Sequence, residues 1–67
     1  MTLENILERI VAAGYYPCLH PSASDRSLWR AEISYGPTIY DKTFGESKSP
    51  ILAVMAAYEE LQKRIRK

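Results

Sequence analysis

The chain of 67 residues has room for one domain over residues 1–67 with one modest core, because a chain of this length buries only about 60% of its unfolded surface. Apolar residues make up 46% and charged residues 25%, which is ordinary globular usage and excludes a disordered or low-complexity chain. Nine Lys and Arg against eight Asp and Glu give a net charge of +1, which removes the simplest indication of a nucleic-acid or membrane partner.

The first predicted element is a helix over roughly residues 3–13. Thr2 can serve as its N-cap, and Gly14 suits the left-handed residue that ends a helix. The apolar positions recur at helical spacing: Leu3, Ile6, Leu7, Ile10 and Val11. An isolated helix this short is marginal in water, so its apolar side is expected to cover another part of the protein.

Two strands are predicted to follow. Residues 15–20 form a short aromatic-rich strand, and Pro17 confines it to a sheet edge because proline lacks a ladder donor. After the polar loop 21–27, residues 28–35 alternate with the period of a half-buried strand. Its two faces are Trp29, Ala31, Ile33 and Tyr35 on one side, and Arg30, Glu32 and Ser34 on the other.

A reversal at residues 35–38 leads to a third strand over residues 38–44, neither face of which is uniformly apolar. Residues 45–48 are predicted as the last loop. Ser49 as N-cap and Pro50 as first helical residue then begin the second helix. Its apolar residues repeat at three and four positions: Ile51, Val54, Met55, Tyr58, Leu61 and Ile65.

The predicted fold class is α+β, with the order α-β-β-β-α. The three strands form an antiparallel meander, and the two helices share one face of the sheet. The predicted core is Trp29, Ile33, Ile51, Val54 and Tyr58.

The cysteine content and the apolar runs favour a cytoplasmic protein without membrane contact. Cys18 is the only cysteine, so the chain forms no internal disulfide, whereas small secreted domains usually carry several. The first residues include Glu4 and Glu8, where a secretory signal would be basic. The longest apolar run, 51–58, is far shorter than the roughly 20 residues that a transmembrane helix needs.

Two segments resemble double-stranded RNA-binding domains. WRAEI at residues 29–33 is similar to the second strand of that family, and GESK at 45–48 is similar to the entry to its last helix. The likeness extends over roughly residues 15–61 and implies the same αβββα fold. The family also opens its last helix with lysines that grip phosphates, and here the residues after Lys48 are SPIL. His20 beside Pro21 is only loosely similar to the family's Gly-Pro-x-His loop.

The same residues also resemble small phage and prophage proteins of the ABA-sandwich type. The tryptophan-led segment 29–33, the Gly-Glu-Ser turn at 45–47 and the alanine-rich helix start at 50–57 carry this likeness, which covers the C-terminal two thirds of the chain. It implies a small accessory protein and no particular activity.

Residues with catalytic or metal-binding chemistry are few. Cys18 and His20 are the only nucleophile and base near each other, and at i and i+2 of a strand they lie about 7 Å apart, too far for a direct hydrogen bond. One His and one Cys give no zinc spacing, and the glycines are scattered among turns and helix ends. We therefore predict that the protein is not an enzyme and has no metal or cofactor.

The first functional hypothesis is a non-enzymatic binding module. It is a phage or prophage accessory protein that contacts a host or phage protein, and inhibition of a host complex is one example of what such a contact would do. Its candidate contact residues are Tyr15, Tyr16, Arg30, Glu32 and Tyr40. The small core also suggests a homodimer through the edge strand or through the open face of the sheet.

Two alternatives remain open. The second hypothesis is a module that binds double-stranded or structured RNA, with these residues at the phosphates: His20, Arg26, Lys48, Lys63, Arg64, Arg66 and Lys67. The third and most remote is a small enzyme whose site is shared between two subunits, since one chain of this length has little room for a walled pocket.

Overall fold

The first helix, α1, spans Leu3–Ala12 in the computed structural model, which describes residues 2–65. Both of its ends form as predicted. The Thr2 hydroxyl accepts a hydrogen bond from the Asn5 N–H at 3.2 Å and so caps the first turn. Gly14 follows the helix at φ +92°, a conformation that glycine adopts without a steric penalty.

The three strands are β1 (Tyr16–Pro21), β2 (Trp29–Ser34) and β3 (Lys42–Ser47). They form one antiparallel sheet in the order β1-β2-β3, which confirms the predicted meander and the edge position of β1. β3 forms the other edge. The second helix, α2, spans Pro50–Ile65 and begins at the predicted proline.

The predicted third strand is displaced. It was expected over residues 38–44, but β3 begins at Lys42 and continues through three residues of the predicted loop. The cause is Asp41, whose Oδ2 accepts hydrogen bonds from the Thr38 N–H at 3.3 Å and the Thr38 hydroxyl at 2.9 Å. These bonds hold residues 36–41 in a closed turn, because a short carboxylate offers the backbone an alternative to ladder hydrogen bonds.

Both helices lie on one face of the sheet, as predicted. α2 packs on β3 and β2, whereas α1 packs on α2 and β1. The closest approach is at Gly45, where an added Cβ would lie 2.6 Å from the Ala57 backbone nitrogen and 2.8 Å from the Ala56 Cβ. Gly45 therefore sets how near α2 comes to β3.

The observed core differs in part from the predicted one. The buried apolar residues are Ile6, Ile10, Ala31, Ile33, Ala53, Val54, Ala57 and Leu61. Of the predicted core, Ile33 and Val54 are confirmed, while Ile51 and Tyr58 are only half-buried against it. Trp29 was wrongly placed in the core: it is 36% exposed, because it begins β2 at the end of the sheet.

Neither helix within residues 2–65 combines the length and the apolar character that crossing a membrane requires.

Candidate functional site

Nine side chains lie on the side of the sheet away from both helices. Alternation along the strands and the pairing register bring them together in three rows of three. We call them the open face: Tyr16, Cys18, His20, Arg30, Glu32, Ser34, Lys42, Phe44 and Glu46. This surface is the candidate functional site.

Glu32 is the centre of the open face. Its Oε2 lies 2.9 Å from His20 Nε2 and 3.7 Å from Arg30 Nε, and its Oε1 lies 3.7 Å from Lys42 Nζ. The pKa of this carboxyl is below its ordinary value of 4.5, chiefly because His20 donates a hydrogen bond to it. Partial burial opposes that effect, and the Lys42 and Arg30 charges add to it. One carboxylate thus contacts the two cationic side chains of the open face, Arg30 and Lys42, and also the imidazole of His20.

His20 has an acceptor at each ring nitrogen. Nε2 faces Glu32, and Nδ1 lies 2.9 Å from the Pro21 carbonyl oxygen. Only the imidazolium can donate from both nitrogens, so the pKa of His20 is raised above its ordinary value of 6.5, first by the Glu32 bond and then by the Pro21 bond.

Glu32→Gln is expected to lower the pKa of His20 toward 6.5, because the acceptor of its main hydrogen bond loses its charge. Since folding raises the pKa of His20 and lowers that of Glu32, the pair stabilises the fold most between pH 4.5 and 6.5. This stabilisation is lost as the pH rises through the folded-state pKa of His20 or falls through that of Glu32. NMR titration of the ring protons of His20, the only histidine, measures the shift directly.

Glu46→Gln is the matched control for this titration. Glu46 is also a carboxylate of the open face, but its contacts are the Ser22 hydroxyl at 2.6 Å and Arg30 NH1 at 3.9 Å. The control should leave the pKa of His20 unchanged. An equal response to both substitutions would contradict a specific His20–Glu32 bond.

The open face also carries two exposed aromatic rings. Tyr16 is 73% exposed and Phe44 is 43% exposed. The Arg30 guanidinium lies 4.4 Å from the centroid of the Phe44 ring, a cation–π contact. Aromatic side chains and arginine are enriched on the surfaces that proteins use to bind one another.

The five predicted protein-contact residues do not all lie together. Tyr16, Arg30 and Glu32 share the open face. Tyr15 is half-buried and packs against the core, on the helix side of the sheet. Tyr40 is exposed beside Ile39 in the turn between β2 and β3.

The predicted RNA-contact residues are divided between two ends of the sheet. His20 lies near the end of β1, and Arg26 and Lys48 are exposed in the loops at that same end. At the opposite end, Arg64 NH1 donates to the Tyr35 hydroxyl and to the Lys42 carbonyl, each at 3.1 Å.

Lys63 lies next to Arg64 in the last turn of α2, and its Nζ is 3.5 Å from Glu60 Oε1. Arg66 and Lys67 lie outside the described residues. The described cations are therefore not gathered on one surface.

Cys18 and His20 lie on one face as predicted, but the imidazole of His20 forms its hydrogen bonds with other groups and not with Cys18. Both of its nitrogens face oxygen atoms, of Glu32 and of Pro21, and Cys18 is exposed. Between α1 and α2 lies a groove of about 490 Å³ with Ile6, Met55 and Tyr58 in its wall. Within residues 2–65, no three His, Cys, Asp or Glu side chains are grouped as a metal site requires.

Four residues of the open face were not predicted as candidate site residues: Ser34, Lys42, Phe44 and Glu46. The alternation along the chain puts Lys42 and Phe44 on one side of the predicted third strand. That strand is predicted to begin four residues before β3 and to end at Phe44. Glu46 therefore falls in the predicted loop, and the residues of this face are not recognised as one surface.

Comparison with protein-family models, curated proteins and solved structures found no match to this chain.

Proposed function

We propose that this protein is a non-enzymatic binding module that uses the open face to contact another protein. The observation that carries the proposal is the position of Glu32 among the cationic side chains of that face. Arg30 and Lys42 are matched there by Glu32 and Glu46, so the face has balanced charge around the exposed rings of Tyr16 and Phe44. A protein surface that carries charged groups opposite the Glu32 cluster and apolar side chains opposite the two rings fits this arrangement.

The same charges make the open face a poor fit for RNA. Binding to a phosphate backbone depends on cations that release counterions, and here each cation of the face already contacts a carboxylate. RNA binding is therefore the alternative that photo-crosslinking with and without nuclease distinguishes from protein binding.

The biological setting belongs to the same proposal. The likeness of residues 29–33, 45–47 and 50–57 to small phage and prophage proteins supports an accessory role in the cytoplasm of a bacterial host. Such a protein acts by occupying a surface of a host or phage protein, and inhibition of a host complex is one result of that occupation.

Site-specific photo-crosslinking tests this proposal. A photoreactive phenylalanine analogue replaces Tyr16 on the open face, and the matched control carries it at Glu59, which is exposed on α2. Each variant is irradiated in bacterial lysate with and without nuclease, and the crosslinked product is identified by mass spectrometry. We expect one protein to be captured from position 16 in stoichiometric amount, with nuclease present, and not from position 59.

Two results would overturn the proposal. Capture of structured RNA, or recovery that nuclease abolishes, would support the RNA-binding alternative instead. Capture of the same proteins from both positions, in similar amounts, would show that the open face is not a defined contact surface.

A further inference from the structure

The free edge of β1 has few backbone N–H groups that could donate to another strand. The Ser22 N–H donates to the Leu28 carbonyl at 2.8 Å, and this pair continues the β1–β2 register. In an antiparallel ladder, alternate residues bond to the neighbouring strand, so Pro17, Leu19 and Pro21 turn their backbone groups outward. Two of these three residues have no N–H, so β1 offers another strand a single donor.

The free edge of β3 keeps all of its donors. The Tyr35 N–H donates to the Asp41 carbonyl at 2.9 Å, which continues the β2–β3 register, so Lys42, Phe44 and Glu46 turn outward. The Arg64 bond to the Lys42 carbonyl confirms this direction independently. None of the three residues is proline, and the Phe44 and Glu46 carbonyls have no partner within residues 2–65.

The side chains of Lys42, Phe44 and Glu46 are complementary to those of the same strand in a second copy of the protein. When two β3 strands pair antiparallel about a two-fold axis at Phe44, Phe44 faces its counterpart, and Lys42 faces the partner's Glu46 twice. Directly opposed aromatic and opposite-charge pairs are the favourable cross-strand pairs of a sheet. The charge order Lys, Phe, Glu therefore fits a second copy of the same strand, and a two-fold interface requires such self-complementarity.

Apolar surface continues from this edge onto α2. The Ala56 Cβ lies beside Gly45, and Leu52, one turn earlier on the same side of the helix, is 53% exposed. Phe44 is on the other side of the sheet. Apolar side chains thus border the β3 edge on both sides, and pairing of two copies would cover them.

We propose that the protein forms a homodimer through β3, in which two sheets join into one of six strands. This inference does not rest on the proposed function. It depends on the free backbone edge of β3 and on the pairing of Lys42, Phe44 and Glu46 with a second copy, whether or not the open face contacts another protein. The dimer would place two open faces side by side. Backbone hydrogen bonds would supply the attachment, and the two Lys42–Glu46 pairs would fix the register.

Light scattering after gel filtration, from micromolar to millimolar concentration, tests the dimer. The mass should rise from that of one chain to that of two. Lys42→Glu and Glu46→Lys each replace two opposite-charge pairs by two like-charge pairs, and each should raise the dimer Kd by about tenfold. The double variant carrying both changes restores opposite charges and should restore the wild-type Kd.

Circular dichroism of each variant confirms that it has folded, and amide hydrogen exchange supplies a second readout. Protection of the Phe44 and Glu46 amides should increase with concentration, while the Leu19 amide at the β1 edge should stay unprotected. A monomer at millimolar concentration would overturn the proposal. So would a dimer that tolerates both single charge reversals, or one that protects Leu19 in place of Phe44.

Discussion

Adding one methyl group at Gly45 is expected to lower the free energy of unfolding by about 3 kcal/mol. The new Cβ would meet the Ala53 carbonyl oxygen and lie 2.6 Å from the Ala57 nitrogen. Both atoms belong to the backbone of α2, so no side-chain rotation can relieve the contact, and the helix must move away from β3. A chain of 67 residues has a total stability of about 3–10 kcal/mol, so Gly45→Ala removes a large part of it. Urea unfolding followed by circular dichroism measures the loss.

Gly14→Ala is the matched control. A Cβ at Gly14 meets no atom within 4 Å, so its cost comes only from the positive φ of 92°. That conformation costs an ordinary residue about 1 kcal/mol. If Gly45→Ala costs no more than Gly14→Ala, the close approach of α2 to β3 is not a requirement of the fold.

The elements that sequence reasoning predicted well are those with local signals. Thr2 and Gly14 mark the ends of α1 through capping and through a left-handed conformation, which depend only on nearby backbone. The alternation over 28–35 gives β2 and its two faces correctly, and Pro50 marks the start of α2.

The features that sequence reasoning did not predict depend on contacts between distant parts of the chain or on a single side chain. Ala53 and Ala57 belong to the core because Gly45 allows α2 to approach β3. The spacing of apolar residues along α2 predicts neither the burial of these two alanines nor the close approach at Gly45. The β-branched and aromatic residues before Lys42 favour a strand, but the side chain of Asp41 holds them in a turn.

The candidate site could be predicted only in part for a similar reason. The alternation of β2 indicates that Arg30 and Glu32 point away from the core, which is confirmed. That His20 and Lys42 meet Glu32 depends on the register of three strands, which no single segment determines. The edge donors of β3 depend on the same register.

Ile33→Ala is expected to lower the free energy of unfolding by about 3–4 kcal/mol, because it removes buried methyl groups and leaves a cavity. Ile33 is fully buried in the central strand, between β1 and β3 and under the helices. For a domain of this size, such a loss lowers Tm by at least about 12 °C, at 4–8 °C for each kcal/mol. Thermal unfolding followed by circular dichroism gives the measurement.

Ile39→Ala makes the same chemical change at an exposed position and is the matched control. Ile39 is 75% exposed in the turn between β2 and β3, so its replacement should change the free energy of unfolding by no more than about 0.5 kcal/mol. The difference between the two variants then measures burial alone, since the side chain removed is identical. Equal losses would mean either that the turn packs against the protein in solution or that Ile33 lies outside the core, and either result would contradict the structure.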